Sequence, residues 1–260
     1  MTKASDLPIQ EFYCELGRRV RSPRFAFMNY GFAEPDDDRA WVLEGDELFG
    51  HHLALVRRTV AGADLEGARV VEIGCGRGGN VSYLRRYTGA RQVVGVDLNP
   101  TNLDLCRSFH RGQDVGFAAG DAQLLPLAGE SVDVLVNLES AHCYPDLRAF
   151  LGEIHRVLRP GGTFCFADLW DLDLVPHDWA EREATVRAAC FEIEEEEDIS
   201  RGVCLALGEA DNVQDLLEAA ASPADRVFVE RIAATTAHVR RALLFGFARY
   251  RRWRMRKVDS

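Results

Sequence analysis

The chain has 260 residues, 47% of them hydrophobic, and a formal net charge of −10 at neutral pH. That length buries a sizeable core in one α/β-sized unit. The acidic balance argues against generic nucleic-acid affinity, so no nucleic-acid partner is expected. The charge is uneven, because residues 240–260 carry eight Lys or Arg against one Asp. The seven cysteines show neither a C-x-x-C pair nor metal-ligand spacing, so no metal site is expected and reduced thiols in the cytosol are the simplest account. Residues 1–10 are mixed and contain Pro8, and no stretch reaches the apolar length of a membrane span, so neither a signal peptide nor a span is expected.

Residues 1–60 read as helical and irregular, and are expected to form a lid ahead of a main unit at 61–260. A helix is predicted over 11–20, ended by Ser22-Pro23. Residues 25–35 are rich in aromatics and turn residues, and Asp36-Asp37-Asp38 is a candidate cap for the next helix. That helix, over 46–60, carries His51 and His52. Adjacent helical residues point about 100° apart, so both cannot bind one metal, and they read as surface or packing groups. From Ala68 onward strands and helices alternate, which predicts a parallel sheet covered on both faces. The strands are expected at 68–73, 92–97, 115–119, 132–137 and 163–168. Helices are expected at 101–109 and 147–158, the second stopped by Arg159-Pro160-Gly161-Gly162.

Further on, 191–199 reads as an edge strand whose acids Glu194 to Asp198 form a solvated face. Helices are predicted over 201–221 and 225–247, within a cover at about 171–247. A last strand over 249–258 puts Arg252, Arg254 and Arg256 on one face, read as solvated or as an anion or membrane-surface site.

The stretch Val70 to Asn80 carries the first chemical signal. A buried strand runs into Gly74-x-Gly76-x-x-Gly79 and then into a helix start, a site for a nucleotide-like ligand. Glu72 sits two residues before the first glycine on an otherwise apolar strand. A carboxylate there is costly to bury without a partner. A ligand amine would be one, which points to S-adenosylmethionine and away from a pyrophosphate. Asp97 ends the second strand, where an acid can take ribose hydroxyls. Asp121, with Ala122 and Gln123, ends the third and can frame an adenine. Asn137 ends the fourth, facing the same crevice. Just beyond, His142 is placed as a general base, with Asp168 at the end of strand five to orient it. Cys143 lacks any neighbour in sequence that would make it a nucleophile.

Val-Val-Glu-Ile-Gly-Cys-Gly (70–76), Gly-Val-Asp-Leu-Asn (95–99), Gly-Asp-Ala-Gln-x-Leu-Pro (120–126) and Arg-Val-Leu-Arg-Pro-Gly-Gly (156–162) occur in an order and spacing that resembles class I S-adenosylmethionine-dependent methyltransferases. Met28-Asn29-Tyr30-Gly31-Phe32, His51-His52, Glu139 to Pro145 and Phe166-Ala167-Asp168-Leu169 resemble, more narrowly, the mycobacterial phthiotriol and phenolphthiocerol dimycocerosate methyltransferases and related natural-product O-methyltransferases. The resemblance implies a Rossmann-like seven-stranded sheet of order 3-2-1-4-5-7-6 with a helical lid, and Tyr30 and Phe32 as lid contacts. It implies a histidine base with an acid partner, placed here on His142 and Asp168. Cofactor contacts are expected from Tyr30, Glu72, Gly74, Cys75, Gly76, Gly78, Asp97, Leu98, Asp121, Ala122, Gln123 and Asn137. The expected reaction is methylation of a hydroxyl on a small hydrophobic metabolite: a polyketide, phenol or lipid of secondary metabolism. The alternatives are C-methylation of an isoprenoid or enolisable carbon, and a non-methylating cyclase or cofactor-binding member of the fold. The oligomeric state stays open, a homodimer included.

Overall fold

The computed structural model describes residues 9–35, 39–171, 179–209 and 222–258. The expected cap at Asp36 to Asp38 and the later part of the helix expected over 201–221 lie outside them. Seven strands form one sheet: β1 (Arg69–Ile73), β2 (Gln92–Asp97), β3 (Gly116–Ala119), β4 (Val132–Leu138), β5 (Leu158–Asp171), β6 (Phe191–Asp198) and β7 (Ala248–Lys257). Their order is β3-β2-β1-β4-β5-β7-β6, with β7 antiparallel to both of its neighbours. Around the sheet lie α1 (Ile9–Arg19), α2 (Gly50–Thr59), α3 (Gly79–Tyr87), α4 (Pro100–Phe109), α5 (Leu147–Val157), α6 (Trp179–Ala188), α7 (Ser200–Glu209) and α8 (Pro223–Phe245). Among the described residues no helix is long and apolar enough to cross a membrane.

The unbroken apolar run of β1 reflects its position. Val70 faces a layer with Leu53, Val56 and Leu84, while Val71 faces the opposite layer with Phe150, Leu151 and Ile154. Alternating side chains thus enter two cores, and neither face can be polar. The strand also pairs with β2 on one side and β4 on the other. Chain connections diverge between β1 and β4, and this opens a crevice at the carboxyl ends of the strands. The helices beyond the strands are set by their caps. Asn99 accepts from the Thr101 N–H at 2.9 Å ahead of Pro100, and Asp146 accepts from the Ala149 N–H at 2.9 Å.

Two expectations are corrected. The helix does stop ahead of Arg159-Pro160-Gly161-Gly162, α5 ending at Val157, but the strand expected to start at 163 starts before them: Val132 pairs with Leu158 and Val134 with Thr163, so these four residues bulge out and β5 is longer than expected. The acids of β6 and the arginines of β7 are not two solvated faces either. Antiparallel register sets Glu192 and Glu194 on Arg256, and Glu195 on Arg252 and Arg254. Arg252 is fully buried and donates to the Thr59 carbonyl at 3.3 Å and the Ala61 carbonyl at 2.5 Å, closing the C-terminal end of α2. Arg252 is thus used inside the fold and Arg254 is partly buried against Glu194 and Glu195, while Arg256 stays exposed, so the solvated reading of that face holds at Arg256 but not at Arg252.

Candidate active site

A cavity of about 1210 Å³ lies over the carboxyl ends of β1, β2 and β4. Its floor begins at the turn after β1. Gly74, Gly76 and Gly78 all adopt left-handed φ, at 72°, 54° and 81°. A Cβ at Gly74 would stand 2.6 Å from the Ser140 Cβ and 2.7 Å from the Tyr144 hydroxyl. The Gly76 N–H donates to Asp97 Oδ2 at 2.8 Å, and Asp97 Oδ1 accepts from the Asn99 N–H at 2.8 Å. Asp97 therefore ties the glycine turn to the start of α4 while facing the cavity. Leu98, Asp121, Ala122 and Gln123 line the same wall. Asp121 accepts from the Gln123 N–H at 2.8 Å, and Gln123 Oε1 accepts from the Asp146 N–H at 2.8 Å.

Other expected residues stand behind this wall. Glu72 is fully buried; its Oε1 accepts from Asn80 Nδ2 at 2.7 Å, and its Oε2 has no partner. Burial pushes its carboxyl up to about 8. Asn137 is also fully buried, donating to the Ile73 carbonyl at 2.8 Å and the Tyr144 hydroxyl at 3.1 Å, while its Oδ1 is unpartnered. Gly78 precedes α3, where a Cβ would meet His110 and Phe117. Cys75 lines the cavity, but its Sγ packs over Gly95 of β2. Glu72, Gly78, Asn137 and Asp168 are not lining residues.

Past β4 the chain makes a short 3-10 turn, Ala141–Cys143. Asp168 on β5 is fully buried and holds His142 twice: Oδ1 pairs with the ring Nδ1 at 2.7 Å, and Oδ2 accepts the His142 N–H at 2.7 Å. His142 lines the cavity, and Nε2 is the ring nitrogen that Asp168 leaves over. Burial opposes a charge on this imidazole. The adjacent Asp168 carboxylate outweighs that and holds it well above the usual histidine range. Cys143 and Tyr13 of α1 line the cavity beside His142.

The N-terminal segment reaches this centre through side chains that sequence reasoning left without roles. Glu139, at a left-handed φ of 50°, accepts from the Tyr30 N–H at 3.0 Å and from the Tyr250 hydroxyl at 2.7 Å. Burial pushes its carboxyl up to about 8. A second tie runs from Asn29 Nδ2 to Asn80 Oδ1 at 3.0 Å, and from Asn80 on to Glu72. The carboxylate at the end of β4 carried the same signal in sequence as Glu72, an acid closing an apolar strand. Tyr30 lines the cavity. Phe32 does not: it packs over Gly202 of α7. His52 Nδ1 donates to the Asn29 carbonyl at 2.7 Å, and burial lowers it to about 4. His51 contacts Arg39 at 2.7 Å. Both histidines are hydrogen-bonded within the N-terminal segment, and His52 also lines the cavity. The remaining wall is mostly apolar, with Phe12 and Leu16 of α1, Leu207 of α7, and Ile232, Ala233 and Ala237 of α8, although α8 also brings Thr235, Thr236, Arg240 and Arg241 to it.

A methyltransferase domain family matches residues 71–166. The chain is 42% identical over 151 residues to the fatty-acid O-methyltransferase of Mycolicibacterium smegmatis, covering 58% of this chain and 55% of that one. It is 40% identical over 179 residues to a phthiotriol/phenolphthiotriol dimycocerosates methyltransferase of Mycobacterium ulcerans, covering 68% and 67%. The corresponding Mycobacterium tuberculosis enzyme is 39% identical, with 63% of each chain covered. The matches thus span 55–67% of the lengths of these curated relatives. Among solved structures, the (4+2)-cyclase SpnF superposes with a TM-score of 0.75 at 19% identity, covering 99% of this chain and 97% of that one. The geranyl diphosphate C-methyltransferase of Streptomyces coelicolor superposes at 0.70 and 18% identity, covering 98% and 100%. At such identities these two speak for the fold alone. The glycine turn, the strand-end acids, the sheet order and the sequence matches lead to one assignment: the chain belongs to the class I S-adenosylmethionine-dependent methyltransferases.

Proposed function

We propose that this protein methylates a hydroxyl oxygen of a small hydrophobic metabolite, a lipid, polyketide or phenol. The observation that carries the reading is the His142–Asp168 pair on the wall of a cavity whose opposite side is apolar.

The residues present fit S-adenosylmethionine. Glu72 Oε2 is a buried carboxylate oxygen without a partner, and a ligand amine would supply one. Gly74 and Gly76 take the left-handed φ that shapes the turn, and both line the cavity where the cofactor would lie. Gly74, Cys75, Gly76 and Tyr30 of the cavity wall would hold the methionine portion, with the unpartnered Glu72 Oε2 just behind them for its amine, while Gly78 and Asn137 shape the turn from behind. Asp97 and Leu98 would hold the ribose, and Asp121, Ala122 and Gln123 the adenine. When bound, the cofactor supplies an electrophilic methyl group. His142 Nε2 would take the acceptor hydroxyl's proton, leaving the oxygen to receive that methyl group. Asp168 fixes the imidazole and stabilises the charge it gains. Because that carboxylate favours the protonated ring, His142 must release its resting proton before it can act as the base.

Residues 1–60 act as the lid, and about 171–247 as the acceptor cover. Parts of both lie outside the described residues. The names of the mycobacterial relatives, with fatty-acid and dimycocerosate acceptors, support a lipid substrate. All seven cysteines are free, which supports a reducing compartment, the cytosol. The test is mass spectrometry of hydroxylated lipid, polyketide and phenol pools after incubation with deuteromethyl-labelled cofactor. A labelled methyl ether is expected. Label on carbon would replace the reading by C-methylation. Cofactor binding with no label in any pool would count against methyl transfer to these acceptors.

A further inference from the structure

The end of α8 is built unlike the rest of the surface. Leu244, Phe245 and Phe247 are 61%, 68% and 64% exposed, three large apolar side chains within four residues. Single exposed apolar residues are ordinary; a contiguous group at one projecting tip is not. The tip is also a formed structure. Gly246 takes a left-handed φ of 76°, and the Phe247 N–H donates to the Ala242 carbonyl at 2.8 Å. In such a helix end the residue after the glycine commonly packs back on the last turn. Here Phe247 is held outward instead.

One turn earlier on the same helix, Arg240 and Arg241 are exposed and lie at the cavity wall. Arg240 spreads over Gly208 of α7. At four-residue spacing they stand behind Leu244 and Phe245. From 231 to 258 the chain contains no Asp or Glu, although the protein as a whole is strongly acidic. An apolar tip backed by cations, next to the opening of an apolar cavity, has the chemistry of a membrane-surface contact. A second copy of this chain is a poor occupant, because a two-fold interface would set the same arginines against each other.

We infer that Leu244, Phe245 and Phe247 insert into the surface of an anionic lipid bilayer, with Arg240 and Arg241 on the lipid headgroups, so that the cavity opens towards the membrane. The binding goes beyond the methyl-acceptor reading and is measured without turnover, so either can fail alone. The test is sedimentation of the purified full chain with vesicles of mixed phosphatidylglycerol and phosphatidylcholine, and with phosphatidylcholine alone. Binding is expected to the anionic vesicles only, and to weaken with salt. L244S/F245S/F247S should reduce it about tenfold or more, with the thermal midpoint unchanged because these side chains are exposed. R240Q/R241Q should reduce the anionic preference about fivefold per charge removed. Absence of vesicle binding by the unmodified chain would overturn the inference. So would undiminished binding by the triple serine variant, or a concentration-dependent dimer that the same variant abolishes.

Discussion

On the side of the strand ends, the cavity wall is main chain and carboxylates. On the side of α1, α7 and α8 it is mostly apolar side chains carried on helices, with Thr235, Thr236, Arg240 and Arg241 among them. The first wall is over-determined. Asp97 bonds both the glycine turn and the α4 entry, Asn80 bonds Glu72, and Gly74 nests against Ser140 and Tyr144. The second wall is built mainly from packed helices, with few ties such as Arg77 donating to the Leu16 carbonyl at 3.0 Å. The difference assigns the constant part of the chemistry, cofactor binding, to the rigid side, and acceptor choice to the adaptable side.

The largest effect is expected at the glycine turn. Gly74→Ala puts a Cβ at left-handed φ and into Ser140 and Tyr144. The backbone term alone is about 1–2 kcal/mol, so cofactor affinity by calorimetry should fall at least about tenfold. Normal affinity would mean that the turn is not the cofactor wall.

Glu72→Gln should separate binding from stability. The folded carboxyl titrates at about 8, above the ordinary value of about 4.3. As pH rises the unfolded chain loses this proton first, so ligand-free stability falls between those two values and levels off above them. The glutamine variant removes that loss. At pH 8 it should melt a few degrees higher, to the order of magnitude expected for a buried acid, yet bind the cofactor more weakly. A variant that melts no higher and binds as well would remove Glu72 from both roles.

Asp168→Asn sharpens the account of His142. With the carboxylate present the imidazole titrates above its usual range, so turnover should rise with pH through that elevated value. Without it the imidazole becomes more acidic, so the rising limb should move to lower pH while the maximal rate falls about tenfold or more. A limb that stays put would show that another group titrates. The smallest effect belongs to the apolar wall: Ala237→Leu should raise KM for the acceptor a few-fold and leave cofactor affinity unchanged. A matching loss of cofactor affinity would erase the division between the two walls.

Legibility in the sequence divides along the same line. Glycines at positive φ and acids at strand ends are local signals, and they marked the turn, Asp97 and Asp121 from residue type and spacing alone. The tie of Glu139 to Tyr250 spans 111 positions, and no local pattern announces it. The β6 acids and β7 arginines are complementary only in antiparallel register, so each strand read alone looked like a solvated face. Arg252 looked equally exposed until α2 supplied the carbonyls that bury it. Pro160-Gly161 was legible as the end of the helix, but sequence does not show that Leu158 already pairs with β4 and that the strand resumes in register beyond a bulge.

The most direct test of the central claim pairs two measurements on His142→Ala: cofactor affinity by calorimetry, and turnover with the labelled cofactor on a pool that yields product. The account predicts unchanged affinity, because His142 belongs to neither the glycine turn nor the strand-end acids. It predicts turnover lower by about 10²–10⁴, the usual contribution of a positioned base. Turnover equal to that of the unmodified protein would contradict the account and leave the His142–Asp168 pair as a packing device.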